Sequence, residues 1–168
     1  MVKKVLIIVI SVWIASLVFM PKKELYYTLE HQLAKSNIQM NEGSIDEGIF
    51  GLDIADVDVY AQGIKVAHID NIDFTTFLFY NSIELQNVKV DSSLKSMAPQ
   101  DIESVDITYS IINPLKVYIS AHGDFGEVDG YLDSNKTLYF KFIQVGDIKP
   151  FVKGLKKNES GWYYEKQF

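Results

Sequence analysis

Histidine and carboxylate side chains are the groups in this chain whose type and spacing could do chemistry. Histidine occurs only at positions 31, 68 and 122, and two of the three precede an aspartate by two residues, in His68-Ile69-Asp70 and His122-Gly123-Asp124. On one strand, the two members of such a pair lie on the same face. Zinc sites use three or four converging ligands, and no His-Glu-x-x-His or comparable set occurs. We therefore predict no metal site, and we expect both pairs at a solvated loop or strand edge.

The chain also lacks the motifs of the common nucleophilic and nucleotide-dependent enzymes. It has no cysteine, no Gly-x-Ser-x-Gly elbow, no Gly-x-x-x-x-Gly-Lys phosphate loop and no Gly-x-Gly-x-x-Gly after a strand. Its many carboxylates alternate with apolar residues, as the solvent face of a sheet requires. A paired-acid glycosidase site stays an open alternative. The sequence predicts a protein that is not an enzyme, with no catalytic residues and no cofactor, and an envelope enzyme remains the alternative.

The charged residues narrow the range of partners. All 16 basic residues are lysine, 22 residues are acidic, and the net charge of -6 argues against a nucleic-acid partner. One basic cluster stands out, formed by Lys149, Lys153, Lys156 and Lys157. It is either a solvated helix face or a set of contacts to anionic lipid headgroups.

An apolar pattern that occurs twice organises the rest of the chain. Leu52 to Val59 reads L-D-I-A-D-V-D-V, and Ile83 to Val90 reads I-E-L-Q-N-V-K-V. A regular strand alternates faces, so the two halves of each segment would point to opposite sides. One extra residue, as in a β-bulge, brings all four apolar residues to the same side. We predict that extra residue at Ala55-Asp56 and at Gln86-Asn87.

A polar residue followed by the pattern apolar-x-apolar occurs four times. The first apolar residue of each copy is at position 57, 72, 88 or 105. The distance between successive copies is typical of a strand plus a connection. The fold class we predict is mainly β, a curved, mostly antiparallel open sheet with one short helix beginning near Asp147. The predicted strands are Ile38 to Met40, Ile49 to Tyr60, Ile64 to Phe74, Ser82 to Asp91, Ile102 to Tyr109, Leu115 to Ala121, Val128 to Leu132 and Thr137 to Val145, with an aromatic-rich end from Gly161 to Phe168.

The apolar residues of the repeated strands are predicted to line one concave face that could hold an acyl chain or a partner. Two short helical segments are too small to cover a wide sheet. The alternative is a sheet that curls on itself and buries this face. The candidate groove residues are Leu52, Ile54, Val57, Val59, Ile72, Phe74, Ile83, Leu85, Val88, Val90, Val105 and Ile107.

The N-terminal segment has the composition of a membrane anchor. Val5 to Met20 carries no charge and spans about 24 Å as a helix, while the hydrocarbon core is about 30 Å thick. Flanking lysines can make up the difference. A cleaved signal peptide is the competing interpretation, but the bulky residues before Pro21 offer no small-x-small site. We predict an anchor over residues 1–21, an amphipathic helix over 22–37 and a β-domain over 38–168.

These segments together resemble a known family. The anchor and amphipathic helix, followed by G-S-I-D-E-G-I-F-G-L-D-I-A-D-V-D-V and F-L-F-Y-N-S-I-E-L-Q-N-V-K-V, resemble the N-terminal pattern of the type II secretion system protein N family and its AsmA-like relatives. The lipopolysaccharide-export protein C family is similar in size and layout. The resemblance implies a single-pass inner-membrane protein with a periplasmic open β-structure.

Two roles follow from that resemblance. The first is a non-enzymatic structural or assembly component of a type II secretion-type system, with secretion proteins as partners. The second is a lipid-binding or lipid-transfer module, with lipid acyl chains as ligands.

Overall fold

The computed structural model describes residues 2–77 and 79–168, and within them one antiparallel sheet dominates. The eleven strands of this part of the chain form a single open sheet in the order β1-β3-β4-β5-β6-β7-β8-β9-β11-β10, with β2 paired to β3. The strands are β1 (Ile38–Asn41), β2 (Ser44–Glu47), β3 (Gly51–Ala61), β4 (Ile64–Phe77), β5 (Tyr80–Val90), β6 (Asp101–Ser110), β7 (Lys116–Gly123), β8 (Gly126–Asp133), β9 (Thr137–Val145), β10 (Lys156–Asn158) and β11 (Gly161–Gln167).

Two α-helices precede the sheet, α1 (Val2–Val18) and α2 (Lys22–Lys35). Tyr26 of α2 is buried against the sheet, edge-on to Phe74 with ring centroids 6.2 Å apart. Over the described residues, neither helix is long and apolar enough to cross a membrane alone. The two meet the length and composition requirement only as a pair, bent by 55° at the break between them.

The predicted extra residue is present in the sheet, but in a form different from an isolated bulge. Asp56 and Asn87 both adopt left-handed backbone conformations, with φ of 55° and 53°. On β4, the pairs Asn71↔Gln86 and Ile69↔Val88 enclose an extra residue as well, and on β6 the pairs Gln86↔Ser104 and Val88↔Ile102 do the same. Four neighbouring strands therefore carry the extra residue at one level, and we call these residues the kink row: Asp56, Asp70, Asn87 and Glu103.

Because β3 to β6 kink together, the pairing register among these four strands is the same on both sides of the kink row, whereas between β6 and β7 it shifts by one residue at Glu103. Ala55 pairs with Asn71 and Val57 with Ile69, so neither strand slips relative to the other. Ile54 and Val57 flank the kink and are both fully buried. The repeated apolar pattern therefore places its two halves on one face, as predicted, through a matched distortion rather than a mismatch between partners.

The two faces of the sheet differ in character. The face opposite the core carries a line of directly paired carboxylates across five strands, which we call the acidic row: Asp46, Asp53, Asp73, Glu84 and Asp106. The core face holds two hydrophobic clusters. The first is built around Ile54, Val57 and Tyr26, and the second around Phe125, Phe142 and Ile148. Ile102 packs against both clusters and joins them.

Two features of the sequence prediction differ from the structure. The segment predicted as one strand from Ile49 is preceded by a separate strand, β2, which turns back onto β3. The helix predicted from Asp147 to Lys156 is wrong. Only a single 3₁₀ turn forms, over Val152–Gly154, and Lys156 already belongs to β10. Pro150 and Gly154 within ten residues disfavour a continuous helix.

Candidate functional site: an apolar groove on the core face

An apolar groove of about 370 Å³ lies on the core face of the C-terminal half of the sheet. Its floor is formed by strands β6 to β9 and includes Val105, Ala121 and Phe142. Two chain segments roof it, one through Met97 to Pro99 and the other through Phe151 and Leu155. Among residues 2–77 and 79–168, no charged side chain lines it. Its size and lining match those of pockets that bind apolar ligands.

Small residues on two adjacent strands keep the groove open. Ala121 on β7 pairs with Val128 on β8, and Gly130 lies two residues further along β8 on the same face. A Cβ at Gly130 would collide with the Tyr139 carbonyl oxygen and the ring of Phe140. The Phe140 ring therefore lies over bare backbone and forms one wall of the groove, which no residue larger than glycine permits.

The structure places all twelve predicted groove residues on the core face, but it brings only one of them to this groove. Val105 lies in the floor, in the cross-strand line Ile54↔Ile72↔Leu85↔Val105. Leu52 and Phe74 instead line a smaller cavity of about 180 Å³ beneath α2. The other nine pack in or against the first hydrophobic cluster or continue the same face: Ile54, Val57, Val59, Ile72, Ile83, Leu85, Val88, Val90 and Ile107.

Sequence reasoning missed most of the groove residues. The lining residues Ile119 and Ala121 on β7, and Phe140 and Phe142 on β9, follow a simple alternation that would have identified them. Attention to the repeated motif placed the groove on the N-terminal strands, where α2 in fact supplies a cover. Val88 of that motif is only 7% exposed and therefore belongs to the core.

The four lysines predicted to contact headgroups do not form one site. Lys156 forms an ion pair with Glu165, with Nζ 3.3 Å from Oε2, and Lys157 lies over the ring of Trp162. These two lysines are adjacent on a strand, so their side chains leave opposite faces. Lys149 and Lys153 are exposed on the segment that roofs the groove, and none of the four lines the groove itself.

A polar recess of about 380 Å³ adjoins the groove and shares Pro99, Phe125 and Phe151 with it. Its charged side chains are Lys95, Asp101, Asp124 and Asp147. Three carboxylates against one ammonium make the recess acidic. A ligand whose apolar part fills the groove would therefore present its polar end to a negative surface, which favours a headgroup that carries a positive charge.

Two of the three histidines, His68 and His122, lie in exposed or half-exposed cross-strand contacts, and His31 lies in α2. His68 pairs with Asp58, with Nδ1 2.7 Å from Oδ1, and its Nε2 lies 3.4 Å from Asp70. His122 contacts Glu103, at 2.9 Å, rather than the predicted neighbour Asp124. Within residues 2–77 and 79–168 no group of three or more histidine or carboxylate side chains is placed to hold a metal ion.

The Asp58 carboxylate is the most heavily paired acid of this set. Lys65 Nζ lies 2.6 Å from Oδ1, the same oxygen that His68 contacts. Hydrogen bonds from Lys65 and then from His68 hold the pKa of Asp58 below its usual range. Lys65 offsets the charge of Asp58 on a partly exposed surface, and Asp58 and His68 are direct cross-strand partners, an arrangement that serves strand pairing.

No family model, curated protein or solved structure matches this chain. The resemblance to secretion and lipid-handling families therefore stays a hypothesis. The apolar groove, with its acidic recess, is the one arrangement described above that fits a ligand of definite chemistry.

Proposed function

We propose that this protein is a non-enzymatic, membrane-tethered module that holds the acyl chain of a lipid in the groove on β6 to β9. The observation that supports this proposal is the groove itself, which is apolar throughout and unfilled by any side chain of the described chain. Each methylene buried there would contribute about 0.8 kcal/mol. The acidic recess beside it would take the lipid headgroup.

The tether in this proposal is α1. Its side chains are apolar apart from Lys3, Lys4, Ser11 and Ser16, and most of them are exposed around the whole helix. A helix that is apolar on all sides requires an apolar surrounding. Lys3 and Lys4 at its start suit headgroup contacts. The expected location is the inner membrane, with the sheet on the periplasmic side, in agreement with the resemblance described above.

A photoactivatable lipid tests the groove without altering the protein. The full chain in vesicles would be irradiated with a phosphatidylethanolamine that carries a diazirine near the end of one acyl chain. Adducts should map to Ile119, Ala121 or Phe140. Ala121→Trp should remove them because the indole fills the groove, and His122→Trp, on the opposite face, should not.

Both variants should keep the denaturation midpoint of the parent chain, so that lost labelling reports on the groove. Adducts spread equally over both faces of the sheet would contradict lipid binding in the groove. Labelling that survives Ala121→Trp would contradict it as well.

A second candidate function rests on the free edge of β11. The short strand β10 pairs with Gly161 to Tyr163 only. In the described chain, no strand occupies that side of Tyr164 to Gln167. An unpaired edge accepts a partner strand by β-augmentation. This favours the role of an assembly component of a type II secretion-type system, with a strand of another envelope protein on β11.

A photo-crosslinking residue at Lys166 distinguishes this role from lipid binding. An adduct with a secretion-system protein, absent when the crosslinker replaces Tyr118 in the middle of the sheet, would support the assembly role. Lipid adducts in the groove without any protein adduct at Lys166 would contradict it.

A further inference from the structure

We infer that the hairpin tips at one end of the sheet form a membrane-contact surface that seats the sheet on the bilayer beside α1. This inference rests on one part of the proposed function, the insertion of α1 in the membrane, and is independent of lipid binding in the groove. We call this surface the apolar tips, formed by Ile49, Phe50, Phe77, Phe79, Tyr80, Ile111, Ile112 and Leu115.

The apolar tips are exposed to an extent that is unusual for large hydrophobic side chains. Ile112 is 92% exposed, Leu115 63%, Ile49 61% and Phe79 54%. They come from three connections, β2–β3, β4–β5 and β6–β7, that lie side by side at one end of the sheet. An exposed apolar patch that continues over several neighbouring loops marks an interaction surface.

The opposite end of the sheet has polar connections with single exposed apolar side chains among them, such as Ile64 at 66% and Val145 at 49% exposure. Its connections carry Gln62 and Gly63 between β3 and β4, and Ser92, Ser93 and Lys95 between β5 and β6. Met97, the large apolar residue exposed in that second connection, belongs to the roof of the groove. The exposed apolar side chains at that end lie singly, whereas the apolar tips continue over three neighbouring connections, as expected for the end of a domain that lies on a bilayer.

The apolar tips adjoin α1 directly. Trp13 stacks on Phe79, with ring centroids 6.3 Å apart and an interplanar angle of 17°. Leu17, one turn further along α1, is only 2% exposed. The earlier turns of α1 expose their apolar side chains instead. If the early turns of α1 insert in a bilayer, the apolar tips therefore lie at the surface of that bilayer.

The backbone of the apolar tips is suited to a medium without water. The Ile111 amide donates to the Phe79 carbonyl at 3.0 Å, and the Asn113 amide donates to the Ser110 carbonyl at 3.0 Å. The Thr76 amide donates to the Phe50 carbonyl at 2.8 Å. An unpaired backbone group costs several kcal/mol in hydrocarbon. These internal hydrogen bonds remove much of that cost and favour a lipid surface over a wet protein partner.

The contact covers only part of this end of the sheet. The β8–β9 connection lies at the same end, on the side away from β2, and consists of the polar residues Ser134, Asn135 and Lys136. Between the tips and the groove, the core face continues through Val117, Leu132 and Leu138. A sheet seated on its apolar tips would therefore present a continuous apolar path from the bilayer toward the groove.

The absence of cysteine from the chain allows a direct test. Single-cysteine variants of the full chain, Ile112→Cys and Ile49→Cys, would carry an environment-sensitive fluorophore in vesicles of equal parts phosphatidylethanolamine and phosphatidylglycerol. Matched controls are Gln62→Cys at the opposite end and Asn135→Cys at the polar connection. Flotation of the same samples reports insertion of α1.

Labels at positions 112 and 49 should show blue-shifted emission, quenching by lipid-attached quenchers and loss of quenching by aqueous iodide. Labels at 62 and 135 should show the reverse. If the chain floats with the vesicles while iodide quenches all four labels, the proposed membrane contact of the apolar tips is wrong, but insertion of α1 is supported.

Two further outcomes also overturn the contact. Protection of positions 112 and 49 from both quenchers would indicate a protein partner instead. A chain that does not float would remove the tether on which the contact depends. Failure of the photoactivatable lipid to label the groove concerns only lipid binding, so the two proposals fail separately.

Discussion

The Asp58 carboxylate on β3 contacts the side chains of Lys65 and His68 on β4. We expect Lys65→Met to raise the pKa of Asp58 toward 3.8, because the Lys65 hydrogen bond is the largest cause of its depression. Carboxyl chemical shifts followed by NMR over acidic pH measure this pKa. Asp91, whose pKa is lowered by Ser93, should not change. An unchanged pKa at Asp58 would contradict the role given to Lys65.

The Asp58–Lys65 pair should also change how the free energy of unfolding depends on pH. A carboxyl whose pKa is lowered on folding stabilises the fold above its unfolded-state pKa, and that contribution disappears as pH falls through the folded-state value. The difference in free energy of unfolding between the parent chain and Lys65→Met should therefore shrink as the solution is acidified. The pair is partly exposed, so salt screens it and keeps this difference small.

Asp106, at the end of the acidic row, shows the opposite shift. Burial, and then the neighbouring charge of Glu84, raise the pKa of Asp106. Its ionisation therefore destabilises the fold as pH rises above the unfolded-state pKa. We expect Asp106→Asn to stabilise the protein at neutral pH by about 0.2–1 kcal/mol, the usual size of a cross-strand pair effect. Chemical denaturation at low salt measures it.

The control for Asp106→Asn is Asp129→Asn, because Asp129 pairs across the strands with Lys141 rather than with another carboxylate. It should leave stability unchanged or lower it. The gain at Asp106 should also fade in high salt and below the pKa of Asp106. A gain that is independent of salt and pH would show that the charge of Glu84 is not its cause.

At the scale of the elements, the backbone conformation of the kink row predicts the cost of a substitution within it. Asn87 has a φ of 53°, a conformation that a β-branched residue tolerates poorly. Asn87→Val should cost about 1–2 kcal/mol of unfolding free energy. Glu103 lies in the same row on the next strand without a left-handed backbone, so Glu103→Val should cost less. Denaturant titration compares the two, and equal losses would mean that backbone conformation is not the deciding factor.

Elements were predictable from sequence where the apolar pattern is strong. The long strands β3, β4 and β5 follow from apolar alternation interrupted by one extra residue, and α2 follows from its helical stripe. Strands β2 and β10 have three or four residues each, too few for a pattern to show. Asp147 resembles a helix cap in the sequence, which predicts a helix that does not form. Instead, Ile148 and Phe151 pack into the second cluster and hold this segment, which we call the strap, across the sheet.

At the scale of the whole molecule, the two hydrophobic clusters should make separate contributions to stability. Ile148 is 7% exposed and belongs to the second cluster. Ile148→Ala should cost about 2–5 kcal/mol. Ile112→Ala, at the apolar tips, makes the same chemical change at an exposed position and should stay within about 0.5 kcal/mol of the parent. Denaturation of both variants in detergent micelles measures the difference.

Hydrogen exchange locates the effect of Ile148→Ala in the fold. Amide exchange should accelerate first in β8 and β9, whose side chains pack around Ile148, and later in β3 and β4, which belong to the first cluster. Ile102 joins the clusters, so some acceleration should extend to β6. Uniform acceleration over all strands would indicate one indivisible core.

The groove was only partly predictable because it depends on contacts between distant segments. That one face of the sheet is apolar follows from the spacing of Leu52, Ile54 and Val57 alone. Which part of that face stays uncovered depends on where α2 and the strap around Phe151 lie, and no local pattern encodes this. The bare backbone at Gly130 is likewise visible only beside the Phe140 ring.

The matched distortion of β3 to β6 makes the width of the sheet adjustable. Because neighbouring strands all carry one extra residue at the same level, a further hairpin built to that template would join them without shifting any existing pair. Removal of a whole hairpin would likewise leave the flanking strands in step. The number of hairpins thus sets the width of the sheet, and duplication or deletion of one hairpin would widen or narrow its apolar face.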